Sequence, residues 1–178
     1  MAPALLFLTT LLSTADAGSL AGVTLPDTAT VGGQPVVLNG MGLREKYWID
    51  IYVGALYLPA KTSDAGQIIS DDVPKKIVMH FVYGLDQAKL AETMSESIAR
   101  SDAPDVASKA QELASWMEDV APGDVVELSY VPGQGTTVTI KGTAKGTIPG
   151  AAFMRELFTI YLGPTPPTAD LKRGLLGQ

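Results

Sequence analysis

The stretch Tyr47 to Leu58, YWIDIYVGALYL, constrains the fold more than any other. It is rich in aromatic and β-branched residues, and its apolar character is nearly continuous. A strand of that kind needs cover on both faces. The chain can supply it. Apolar residues make up 46% of the sequence and charged residues 18%, enough for a core and unlike a disordered chain.

The segments around this strand read in order. Pro35 to Leu38 is a short apolar run. Asn39-Gly40-Met41-Gly42 then holds two glycines, suited to a bulge or a close backbone approach. Asp64 to Ser70 predicts a short helix, and Lys76 to Tyr83 a strand ended by Gly84. Asp86 is a good N-cap, with Leu90, Met94 and Ile98 following at helical spacing. Val106, Ala110, Leu113, Met117 and Val120 mark a second helix from about Asp105 to Val120. Val125–Tyr130 and Thr136–Lys141 alternate as strands around Pro132-Gly133-Gln134-Gly135, a hairpin signal. Gly150 to Leu162 reads as a helix with Phe153, Leu157 and Ile160 inward, and a last short helix runs from Thr168 to near Gly177. The order predicts an α+β fold: a large antiparallel sheet with helices packed on one face.

No linker or repeat divides the chain, so one domain is expected over residues 18–178. Residues 1–17 read as a signal peptide. Ala4 to Leu12 is too short an apolar run to span a bilayer, and Ala15-Asp16-Ala17 fits an A-x-A cleavage site. The n-region carries no Lys or Arg, only the terminal amine. Export to a bacterial periplasm, or secretion, follows as the expected location. The chain has no cysteine, which excludes disulfides, thiolate ligands, cysteine nucleophiles and a lipoprotein anchor. A net charge of −6 disfavours nucleic acid as a partner.

Little in the sequence is dedicated chemistry. His80 is the single histidine and sits mid-strand, where a half-exposed structural role is the default. Asp71-Asp72 and Asp102 with Asp105 lie beside turns and read as solvated caps. There is no P-loop, no strand-linked dinucleotide fingerprint and no zincin motif, so no metal or cofactor is expected. Trp116 and Met117 lie at core spacing. Trp48, Tyr52 and Tyr57, on the central strand, are core or line a cavity.

Arg44 is the residue to explain. It stands between a glycine pair and a largely apolar strand, and a guanidinium is costly to bury unpaired. It needs an anion, either a carboxylate of the chain, with Glu45 and Asp50 nearest in sequence, or a ligand.

Gly40-x-Gly42-x-Arg44, followed by the strand ending Tyr52-Val53-Gly54-Ala55-Leu56-Tyr57-Leu58, resembles the chalcone isomerase-like family, and its exported bacterial branch best. Pro122-Gly123-Asp124, Pro132-Gly133-Gln134-Gly135-Thr136, Ile148-Pro149-Gly150, Tyr161-Leu162-Gly163 and Leu175-Leu176-Gly177 match in order, so the resemblance runs over roughly residues 20 to 177. It implies an open-faced β-sandwich, with a cleft between a large antiparallel sheet and a layer of helices. It also implies two roles: cyclisation of chalcones by the plant enzymes, and fatty-acid binding by relatives without that activity. The family arginine falls on Arg44. In the enzymes it steadies developing enolate charge; in the binders it holds the carboxylate. The position matching Tyr52 is threonine in the enzymes and tyrosine in the binders. The enzymes' catalytic tyrosine and asparagine fall near Lys89 and Glu96. No Tyr or Asn occurs anywhere from Leu85 to Ala121, which argues against chalcone cyclisation.

Three readings result. The chain binds a fatty acid or similar amphiphilic carboxylate without turnover, its head group on Arg44 and Tyr52 with Lys89 and Glu96 near; this reading expects an apolar pocket beside Arg44. Or it is a chalcone isomerase-type intramolecular lyase on an unknown enone, with a proton-transfer partner among Lys89, Glu96 and Tyr52. Or it is a structural envelope protein with Arg44 paired to an internal acid. The first two carry a geometric condition. Arg44 and Tyr52 on one straight strand would lie about 26 Å apart, so the chain must turn or bulge between Arg44 and Tyr47, with Glu45-Lys46 the expected place.

Overall fold

A computed structural model of the chain describes residues 17–98 and 104–178. Residues 1–16, nearly all of the expected signal peptide, lie outside the described residues, as does the pair partner Asp102. The elements are β1 (Ala17–Leu20), β2 (Val23–Pro26), β3 (Thr28–Val31), β4 (Gln34–Lys46), β5 (Ile49–Leu58), α1 (Ala65–Ser70), β6 (Lys75–Phe81), α2 (Gln87–Ile98), α3 (Pro104–Ser115), β7 (Val125–Val131), β8 (Gly135–Ile140), β9 (Thr143–Ile148), α4 (Ala151–Leu162) and α5 (Ala169–Leu175).

Strands β3 to β9 form one antiparallel sheet in chain order, and β1–β2 pair separately. Neighbouring strands therefore connect by hairpins, except where α1 joins β5 to β6 and α2–α3 join β6 to β7. The sheet curls until Gly32, in the β3–β4 turn, lies against Val131 at the end of β7.

One face carries the main core. Tyr52, Leu56, Ile77, Met79 and Phe81 of the sheet meet Leu113, Phe153, Leu157, Phe158 and Leu171 of the helices, all essentially without solvent contact. The other face holds a smaller cluster around Val36, Ala55, Tyr57 and Val78, partly covered by Leu25. The Tyr57 hydroxyl donates to the Pro26 carbonyl at 2.8 Å and ties β2 to that face. The central β5 is thus covered on both sides, as its composition demands. The architecture is the expected α+β sheet with helices on one face.

Several elements sit where the residues place them. Asp64 caps α1, its carboxylate accepting from the Gln67 N–H at 3.0 Å. Asp86 caps α2 by accepting from the Lys89 N–H, and Thr168 caps α5 by accepting from the Leu171 N–H. His80 is half-buried on β6.

Four expectations need correction. Tyr47 and Trp48 are not strand: they form the two-residue turn between β4 and β5, at φ 52° and 66°, and are 83% and 93% exposed. Trp48 is therefore neither core nor a cavity wall. α3 ends at Ser115, although Met117 and Val120 beyond it are buried; Val120 pairs with Leu85 as an isolated bridge, so tertiary burial extends the apolar series past the helix. β9 was not expected, because TAKGTI offers almost no apolar alternation. The short β1, β2 and β3, of 4 residues each, are too brief to mark themselves as strands in the sequence.

Candidate functional site

The glycine–arginine motif lies on β4, and its spacing of two puts Gly40, Gly42 and Arg44 on one face of the strand. That face looks toward the helices. α5 is seated directly on the two glycines: a Cβ on Gly42 would lie 2.3 Å from the Leu171 carbonyl oxygen, and one on Gly40 2.2 Å from that of Gly174. A Cβ on Gly174 would in turn lie 2.2 Å from the Met41 carbonyl oxygen. Only backbone can fit on either side of this contact. A register shift at Asn39 accompanies it. The Asn39 side chain donates to the Leu175 carbonyl at 2.8 Å and accepts from the Thr62 N–H at 2.8 Å. β4 is therefore held against α5, and Arg44 emerges two residues beyond the contact.

Arg44 and Tyr52 are directly opposed partners in the β4–β5 ladder. The chain does turn between them, one residue pair later than expected, at Tyr47-Trp48 rather than Glu45-Lys46. A second register shift lies just beyond Arg44, so that Glu45 pairs with Asp50 and Ile51 is the extra residue. The N–H groups of Val82 and Tyr83 both donate to the Ile51 carbonyl. The bulge explains why Ile51 and Tyr52, adjacent in sequence, both join the helix-side core.

The Arg44 guanidinium carbon lies 5.6 Å from the Tyr52 ring centroid. Its Nε is buried and has no hydrogen-bond partner, and Arg44 forms no ion pair among the described residues. Neither Glu45 nor Asp50 neutralises it. Tyr52 is buried and packs at 5.5 Å, tilted 60°, against Phe81. Burial pushes its hydroxyl up to about 12, while the charge of Arg44 and a hydrogen bond to it pull the other way. Tyr52 is therefore a neutral phenol at physiological pH and can donate, but it is a poor base.

Tyr161 of α4 enters the sequence reading only through the Tyr161-Leu162-Gly163 motif, with no site role. It is buried beside this pair, its hydroxyl contacts the Met79 sulfur at 3.4 Å, and burial raises it well above the ordinary tyrosine value, with Tyr52 adding to and Arg44 opposing the shift. The signal was available: Tyr161 lies four residues after Leu157, so it shares the inward face of α4 while carrying a polar tip.

Lys89 reaches the same end of the molecule. It is exposed on α2, 2.6 Å from Glu92, and with Arg44, Lys46, Ile51 and Leu85 it lines an opening of about 40 Å³. Glu96 lies on α2, but its side chain is outside the described residues. An opening of that size is far below the room an acyl chain requires. Among the described residues the space beside Arg44 is this small opening and not the apolar pocket expected there. A larger cavity of about 320 Å³ lies at the other end of β5, lined by Leu58, Lys61, Gln67, Ile68 and Asp71 among others. Arg44 takes no part in it. No cluster of metal-binding side chains occurs among the described residues, and none of their helices is long and apolar enough to cross a membrane.

A curled seven-stranded antiparallel sheet with helices on one face defines the class of fold. The chalcone isomerase-like family model matches residues 17–177, and the chain belongs to that family. Among solved structures, a fatty-acid binding protein from Arabidopsis thaliana is similar with a TM-score of 0.72 at 17% identity, over 90% of this chain and 96% of that one. At that identity the likeness is one of fold. No curated protein matches the chain.

Proposed function

We propose that the protein binds a fatty acid or similar amphiphilic carboxylate without turning it over. The observation that carries this reading is Arg44: a partly buried guanidinium, stacked on a neutral phenol, whose charge no carboxylate of the described residues meets. A carboxylate supplies the missing charge and accepts from both guanidinium and phenol. The head group sits at Arg44 and Tyr52, with Lys89 at the mouth, and the acyl chain runs between the sheet and the layer of α2 and α3. Since the opening is small, the chain enters only as side chains of that layer give way. The name of the Arabidopsis structure agrees with this reading. A lyase role is less well supported, because Tyr52 stays protonated and Lys89 is already paired to Glu92. Export through removal of residues 1–17 is part of the same proposal.

Native mass spectrometry of protein purified from its own host tests it. A co-purifying fatty acid, absent from Arg44→Ala, is the expected result. A protein that is empty and ignores added fatty acid overturns the reading.

A further inference from the structure

The β4–β5 turn is built against its own local preferences. A two-residue hairpin loop with both φ values positive favours Asn-Gly, because bulky side chains strain that backbone. This chain places Tyr47 and Trp48 there, at φ 52° and 66°. Neither ring contributes to the core: they are 83% and 93% exposed. Ile49 beside them is 41% exposed. Tyr83, whose N–H bonds to Ile51 and so lies at the same end of the sheet, is 46% exposed. These four are the large exposed apolar side chains among the described residues, and they gather at one end. Strain and exposure together need a use outside the fold.

We propose that this tip docks the protein on a lipid bilayer surface, with Tyr47 and Trp48 in the headgroup layer. Amphipathic rings favour that layer. The tip protrudes as a turn, which suits insertion among headgroups better than the broad matched surface a protein partner needs. The charge behind it fits phosphate: Lys46 lies 5.5 Å from the Tyr47 ring and lines the opening at the base of the tip, where Lys89 is already paired to Glu92. Strand alternation sends Glu45 and Asp50 to the opposite face. The acid excess of the whole chain acts weakly over this distance in salt, so contact at the tip decides. Docking in this orientation would set the mouth beside Arg44 against the membrane, though the proposal does not depend on what that mouth binds.

The test uses Trp48 emission in a Trp116→Phe background with vesicles of phosphatidylcholine, and of phosphatidylcholine with phosphatidylglycerol, free of fatty acid. A blue shift and co-sedimentation are expected. The double variant Tyr47→Asn, Trp48→Gly gives the turn its preferred residues, so it should melt no lower than the parent yet lose roughly tenfold or more in vesicle partition, read by co-sedimentation. The same variant should bind soluble fatty acid normally, which separates failure of docking from failure of the carboxylate site. No blue shift, or unchanged partition in the double variant, overturns the proposal. Self-association abolished by the double variant, without vesicle binding, would make the tip a contact between copies and overturn it equally.

Discussion

Gly42→Ala should loosen the platform on which the site stands. The added Cβ would lie 2.3 Å from the Leu171 carbonyl oxygen and 2.8 Å from its Cα. That is about 1 Å short of ordinary contact, and backbone on both sides leaves no side chain to swing away. α5 must lift. Leu171 and Leu175 are fully buried beneath it, each worth about 1.5–3 kcal/mol of burial, and a gap near 1 Å forfeits a quarter to a half of their contact. The hydrogen bond from Asn39 to Leu175 weakens as well, for about another 1 kcal/mol. The sum is roughly 2–4 kcal/mol, or a fall in Tm of about 4–16 °C for a chain of this size. Thermal and urea unfolding followed by circular dichroism would measure it. Fatty-acid affinity should fall too, since Arg44 lies two residues along the displaced strand. A loss below about 0.5 kcal/mol would show that α5 is not seated on these glycines as described.

Other substitutions report on other parts of the argument. Asn39→Ala leaves the Thr62 N–H and the Leu175 carbonyl without their partner and should lower unfolding free energy by roughly 2 kcal/mol in urea titrations. Tyr161→Phe keeps the packing but removes a hydroxyl beside Arg44; it should weaken fatty-acid binding several-fold by calorimetry while moving Tm by less than about 4 °C. Lys75 predicts a pH dependence. It is fully buried, its ammonium donates to the Ile68 and Asp71 carbonyls and lies 5.2 Å from the Phe158 ring, and burial lowers it from 10.5 to about 8. Below pH 8 both folded and unfolded chains hold the proton, and the cost of burying the charge is felt in full. Between pH 8 and 10 the unfolded chain binds more protons, so stability rises with pH, by roughly 1–2 kcal/mol after allowing for the carbonyls that replace water. Above pH 10 the order reverses, because Tyr52, Tyr57 and Tyr130, each raised to about 12, stay protonated in the fold while unfolded tyrosines ionise. Urea midpoints across this range should peak near pH 10, and Lys75→Met should flatten the rise.

What could be read from the sequence follows from how local each signal is. The period of two in Gly40, Gly42 and Arg44 sets a common face whatever the sheet does, so the need for close approach was legible before α5 was known to fill it. The pairing of Arg44 with Tyr52 required a turn, and that requirement was correct. Its place was not legible, because Tyr47 and Trp48 have the composition of a strand while adopting backbone angles that Asn and Gly would announce. The bulges at Asn39 and Ile51 are properties of pairing between strands and leave no mark in either strand alone. Tyr161 belongs to the site only because the fold brings its end of α4 to Met79 of β6 and to the Arg44–Tyr52 pair. The apolar series of α3 runs on past its last turn because Met117 and Val120 are buried by the loop that carries them to Leu85, so burial there keeps a helical spacing without a helix.

The central claim is that Arg44 receives a carboxylate. Isothermal calorimetry of palmitate and of hexadecanol against the native protein, Arg44→Gln and Tyr52→Phe tests it most directly. Loss of a charge-assisted hydrogen bond amounts to about 1.5–3 kcal/mol, so palmitate should bind Arg44→Gln roughly 10- to 150-fold more weakly. Tyr52→Phe should fall several-fold, and hexadecanol should be nearly indifferent to Arg44→Gln. Equal losses for acid and alcohol, or palmitate binding untouched by Arg44→Gln, would contradict the account and remove the head group from Arg44.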